Sequence, residues 1–145
     1  MPTVQDILAS KGSHVYRIDG SATVLEATHV MNEHKIGALV VMEDGKVTGI
    51  FTERDVLRRV VAVEKQPSKV TVGEVMTRDM VCCRPEDDID DVSRVLADRR
   101  VRHLPVCGDG GEVHGLISIG DVNMAHASTQ EQQITFLSEY VYGRA

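Results

Sequence analysis

Two short stretches carry the residues best suited to binding chemistry, GIFTERD (Gly49–Asp55) and GLISIGD (Gly115–Asp121). In each, an apolar run ends in a hydroxyl residue, and a carboxylate follows three positions later: Thr52 with Asp55, Ser118 with Asp121. That spacing is a helix capping box, in which hydroxyl and acid satisfy each other's backbone N–H groups. It also fits a ligand. A helix start offers unpaired N–H donors and a positive dipole end to a phosphate. A carboxylate there can accept from two neighbouring hydroxyls at once, as on a ribose. Arg54 and Arg102 add planar cations that match a phosphate. Gly49 and Gly115, three residues before each hydroxyl, could let a flat base approach the strand closely.

Both corners belong to a chain written twice. Asp55 and Asp121 are 66 residues apart (121 − 55), as are Gly49 and Gly115. Upstream the spacing is 65, matching Leu39 to Leu104 and Val41 to Val106, because GDGG (Gly108–Gly111) carries one extra glycine. Repeats of about 60 residues are too long for solenoid units and short for independent domains. One globule of two similar halves about a pseudo-two-fold axis is expected. Residues 1–63 form repeat 1, 64–69 a linker, 70–127 repeat 2 and 128–145 a C-terminal helix.

The elements that must position the corners read alike in both halves. A short helix opens each, Thr3–Ala9 and Thr71–Thr77, with Thr3/Asp6 and Thr71/Glu74 as cap and acid. A strand follows, HVYRI or DMVCC. Next comes an amphipathic helix, with Val24, Ala27, Val30 and Met31 inward in one half and Ile89, Val92, Val95 and Leu96 in the other. GALVVM turns through EDGK into VTGIF, and HLPVC turns through GDGG into VHGLIS. Pro105 gives up a backbone donor, so its nitrogen side is expected to face away from a ladder partner. Helices over about 53–62 and 119–127 close the halves. In the tail, Ser128 and Glu131 cap a helix with an apolar stripe from Ile134 to Val141.

Composition excludes several classes. The net charge of −6 argues against nonspecific nucleic-acid binding, which needs a basic surface. No stretch approaches the about 20 apolar residues of a membrane span. The N-terminus has no basic start followed by an apolar run, so the cytoplasm is the expected location. Cys82, Cys83 and Cys107 are odd in number and form no CxxC, which speaks against a disulfide framework. Cys82 and Cys83 should point to opposite faces of their strand, one buried and one less so. His29 and His34 lie about 140° apart on a helix, and no HExxH occurs, so no metal site is expected. The acidic run EDDIDD (Glu86–Asp91) suits a helix start. Nothing pairs a nucleophile with a base and an oxyanion site, so the chain is not read as an enzyme.

Strand, turn, corner and helix, repeated in this order with TVGEVMT leading one copy and VRHLPV inside it, resemble a tandem cystathionine-β-synthase (CBS) domain pair, or Bateman module. The resemblance implies an α/β fold of two repeats, each a small sheet flanked by helices. It implies two clefts between the halves and a regulatory module, without catalysis or required cofactor, that binds AMP, ADP, ATP or NAD. On that pattern Asp55 and Asp121 hold ribose, while Thr52, Arg54, Ser118 and Arg102, with His103 beside it, meet phosphate. Tyr16, Ile36 and Gly37 would line the Asp121 cleft, and Val81 and Val101 the Asp55 cleft. Gly37 stands where the second half has Arg102, and Gly120 where the first has Arg54, so the clefts should not be equivalent. A homodimer and a separate regulated protein are the implied partners. The competing reading is a dimerisation or protein-interaction module with no physiological nucleotide.

Overall fold

The computed structural model describes residues 2–127, and the expected tail helix lies outside them. In chain order the elements are α1 (Val4–Lys11), β1 (Arg17–Asp19), α2 (Val24–His34), β2 (Ala38–Glu43), β3 (Lys46–Thr52) and α3 (Glu53–Val56), then α4 (Val72–Val75), α5 (Ile89–Arg99), β4 (His103–Cys107), β5 (Val113–Ser118) and α6 (Ile119–His126). A π-helical turn over Leu57–Val61 continues α3. The helix starts follow from their caps. Thr3 and Asp6 bond reciprocally before α1, and Thr23 and Glu26 before α2. At α4 the Glu74 carboxylate takes the Thr71 N–H at 2.7 Å, which holds its pKa below the usual range.

The described residues form two compact units. His14–Val81 makes one; residues 2–13 and 82–127 make the other. These units cut the chain differently from the repeats: α1 sits with β5 and α6 of the second repeat, and α4 with the first. Backbone bonds seat each lead-in segment. Val4 N donates to Asp87 O and Gln5 N to Pro85 O in one unit, and Val72 N to Ala22 O and Gly73 N to Gly20 O in the other.

In the unit His14–Val81, β1 pairs parallel with β2, and β2 antiparallel with β3. The hairpin turns through Asp44 (φ 53°) and Gly45 (φ 76°), two consecutive left-handed residues as a tight hairpin requires. Val24, Ala27, Leu39, Phe51, Val72 and Val75 pack the core. In the other unit, β4 and β5 form a two-stranded sheet over buried Ile89, Val92, Leu96, Val4 and Leu8. Val30 and Val95, expected inward, are only half-buried.

The strand expected over DMVCC is absent and shrinks to one bridge, Cys83 to Val106. Pro105 explains it. In the first repeat Val40 N donates to Tyr16 O at 3.1 Å, and the residue at Val40's place in the second repeat is Pro105, which has no N–H. Cys82 is exposed and Cys83 buried, as their alternation predicts. Cys82 is nevertheless joined to Cys107 in a disulfide, Cα–Cα 5.9 Å, contrary to the expectation from cysteine counting. The parallel bridge one residue away brings the two together, and neither spacing nor number reports such a pairing.

Candidate functional site

Each corner is built where a strand hands over to a helix, and both are capping boxes. In the first, Thr52 ends β3, and Asp55 Oδ2 accepts the Thr52 N–H at 3.0 Å and its hydroxyl at 3.3 Å. Oδ1 accepts from the Thr77 hydroxyl at 3.1 Å and lies 3.9 Å from Arg59 Nε. Arg59 is itself fixed, donating to Val75 O and Met76 O. Among the described residues Asp55 is the one buried charged side chain, 6% exposed. Both of its oxygens are already partnered by its own unit, which is what burial of a carboxylate demands.

The second corner is more open. Asp121 Oδ2 accepts the Ser118 N–H at 2.8 Å, and the Ser118 hydroxyl accepts from Asp121 N at 3.1 Å. Lys11, the last residue of α1, places its ammonium 2.7 Å from the same Oδ2 and donates to Leu116 O at 2.9 Å. Both bonds to the carboxylate fall on Oδ2; Oδ1 has no partner among the described residues. The Asp121 side chain is 23% exposed.

The segment before each core strand completes the corner of its own unit. Glu53 N donates to Gly37 O at 3.1 Å, and Ile119 N to Arg102 O at 2.8 Å. Gly37 and Arg102 therefore hold matching places beside the helix starts. His103 pairs across the ladder with Ser118, as Ala38 does with Thr52. So the structure brings Arg102 and His103 to Ser118 and Asp121, with half-buried Val101 preceding them. Within its own unit it sets Gly37, and Ile36 before it, beside Thr52 and Asp55. Arg54 is half-buried in α3, and Arg102 is exposed. Half-buried Val81 ends its unit. Tyr16 stacks on His34 at 4.2 Å and meets His14 edge-on at 4.4 Å, so its ring is engaged by its own unit.

The glycines have another use than the one expected. A Cβ on Gly49 would lie 2.6 Å from Thr77 O and 2.8 Å from Met76 Sδ. One on Gly115 would lie 2.7 Å from Leu8 Cδ2. The space over each glycine is filled by the lead-in segment, not left for a base. Lys11, Thr77 and Arg59 are the functional partners that sequence reasoning missed. Only knowing which helix packs on which hairpin would have found Lys11 and Thr77, whereas Arg59 follows Asp55 at the i,i+4 spacing of one helix face.

A model of the CBS domain family matches residues 4–62 and 72–127. The chain belongs to the CBS domain family. Among its relatives, the CBS domain-containing protein CBSX3, mitochondrial, of Arabidopsis thaliana is 33% identical over 153 residues, covering 97% of this chain and 72% of that one. A solved protein with CBS domains from Burkholderia ambifaria MC40-6 superposes with a TM-score of 0.85 at 37% identity, covering 89% of this chain and 96% of that one. The CBS domain pair of protein MJ0100, solved with 5′-methylthioadenosine and S-adenosyl-L-methionine, superposes with a TM-score of 0.76 over 87% of this chain and 96% of that one. At 23% identity that last likeness speaks for the fold alone. Among the described residues no helix of this CBS protein is long and apolar enough to cross a membrane.

Proposed function

We propose that this chain is a non-catalytic regulatory module that senses an adenine nucleotide, AMP, ADP, ATP or NAD, with the Ser118–Asp121 corner as its ribose and phosphate seat. The observation that carries the reading is the partly open Asp121 carboxylate, whose Oδ1 no described residue uses. Ser118, Arg102 and His103 stand beside it at the start of α6. A vicinal diol on the acid leaves the phosphate to the helix start and to the exposed Arg102. The Thr52–Asp55 corner is assigned a lesser part, because its carboxylate is saturated from within.

Occupancy acts through a separate regulated protein, by favouring whichever conformation binds nucleotide better. Homodimerisation belongs to the same proposal. Its support is the open groove of about 860 Å³ where Leu25, Leu57 and Val61 stay exposed between α2 and the π-helical turn. That groove also supports the second reading, an interaction module without a nucleotide. A cytoplasmic setting is part of the proposal, although the Arabidopsis relative is named as mitochondrial.

A thermal-shift panel of AMP, ADP, ATP, NAD and S-adenosylmethionine tests the reading. At least one should raise Tm by mass action, and Asp121→Ala should remove most of the rise. A flat response to every compound, with the protein folded, would leave the interaction reading in its place.

A further inference from the structure

The Asp121 seat is already half taken. Lys11 Nζ spends two of its three donors there, one on Asp121 Oδ2 at 2.7 Å and one on the β5 carbonyl of Leu116 at 2.9 Å. Two acceptors on different residues fix the ammonium in place, unlike a surface lysine paired with one flexible acid. The same Oδ2 also accepts the Ser118 N–H at 2.8 Å, so that oxygen carries two bonds. A vicinal diol held bidentately needs both carboxylate oxygens. With Lys11 in place only Oδ1 is open, and the charge that would draw a hydroxyl is neutralised.

We propose that Lys11 is a resident competitor for Asp121 and sets the affinity and the ribose selectivity of that corner; the inference rests on the nucleotide reading above. A ribonucleotide gains Oδ2 only by displacing the ammonium. Displacement also frees the last residue of α1 from β5, which turns occupancy of the corner into a change at the lead-in helix. The Asp55 corner has no such replaceable occupant. There the lead-in segment supplies the neutral Thr77 hydroxyl, and the carboxylate is buried.

The pair is partly exposed, Lys11 38% and Asp121 23%, so its strength is that of a surface ion pair. Removing the amine should therefore tighten binding by about two- to five-fold. Equilibrium titrations with AMP, ADP and ATP, and with 2′-deoxyadenosine monophosphate, would read this in wild type, Lys11→Met and Lys11→Gln. Lys46→Met, on the exposed hairpin of the other unit, controls for the lost charge. Expected is tighter binding of a ribonucleotide by both Lys11 variants, a smaller gain for the deoxy compound and no gain for Lys46→Met. Equal or weaker ribonucleotide binding by the Lys11 variants, where wild type binds, overturns the inference and leaves the nucleotide reading standing. An equal gain for the deoxy compound also overturns it. No binding by any protein, with all of them folded by circular dichroism, overturns both.

Discussion

The two carboxylates share a spacing but not an environment. Asp55 is buried with four groups around it, and Asp121 is partly open with two. Asp55→Ala leaves the Thr52 N–H and the Thr77 hydroxyl without their acceptor inside the unit and strips Arg59 of its nearest anion. The cost should be about 2–3 kcal/mol. Asp121→Ala loses a half-exposed cap that water can replace, worth about 1 kcal/mol. Urea unfolding followed by circular dichroism would rank the two, and equal losses would contradict the assignment of Asp55 to structure. The capping boxes themselves were legible, because hydroxyl and acid three apart have one local geometry at a helix start. The second partners were not. Thr77 and Lys11 reach their carboxylates from elements distant in sequence, where no local rule operates.

At the scale of elements, the sequence specified most helices and both hairpins, since caps, period and turn residues agree there. The lost strand before α5 was legible in principle, through Pro105 in a position that must donate. The glycines were misread because a residue without a side chain announces close approach but not what approaches. Both lead-in segments pass over their glycines, and they do so differently. At Gly49 the near atom is a backbone carbonyl, Thr77 O, which also accepts the Ile50 N–H at 2.9 Å in the Ile50–Thr77 bridge. At Gly115 it is the tip of the Leu8 side chain, which can change rotamer. Gly49→Ala should therefore cost at least the about 1–3 kcal/mol of an overpacked site, and Gly115→Ala distinctly less. Denaturation midpoints of the two variants decide it; the reverse order would mean that α1, not α4, is the rigidly seated segment.

For the molecule as a whole, the doubling was legible and the exchange of lead-in helices was not. Helices α1 and α4 follow the same type of cap and present similar apolar residues, so pattern alone suits either one to either body. Cysteine chemistry was hidden for the same reason, since the pairing of Cys82 with Cys107 depends on which strand lies beside which. The three cysteines should behave differently in solution. Cys83 is 4% exposed, and burial first, then the Asp87 charge, pushes its pKa up to about 12. An unfolded thiol ionises near 9, so the protonated, folded form is favoured fully below that pH. Stability then falls by about 1.4 kcal/mol per pH unit between about 9 and about 12. Closing a loop of 25 residues, the disulfide should add about 3 kcal/mol, which a reducing compartment would withdraw. Iodoacetamide at pH 8, read by mass spectrometry, should label no cysteine in the native oxidised protein. After mild dithiothreitol it should label the exposed Cys82, with a lowered Tm, and reach the buried Cys107 and Cys83 only in denaturant. Labelling of Cys82 without reductant would show that the sulfurs are not joined, and labelling of Cys83 in the folded chain would show that its burial does not hold.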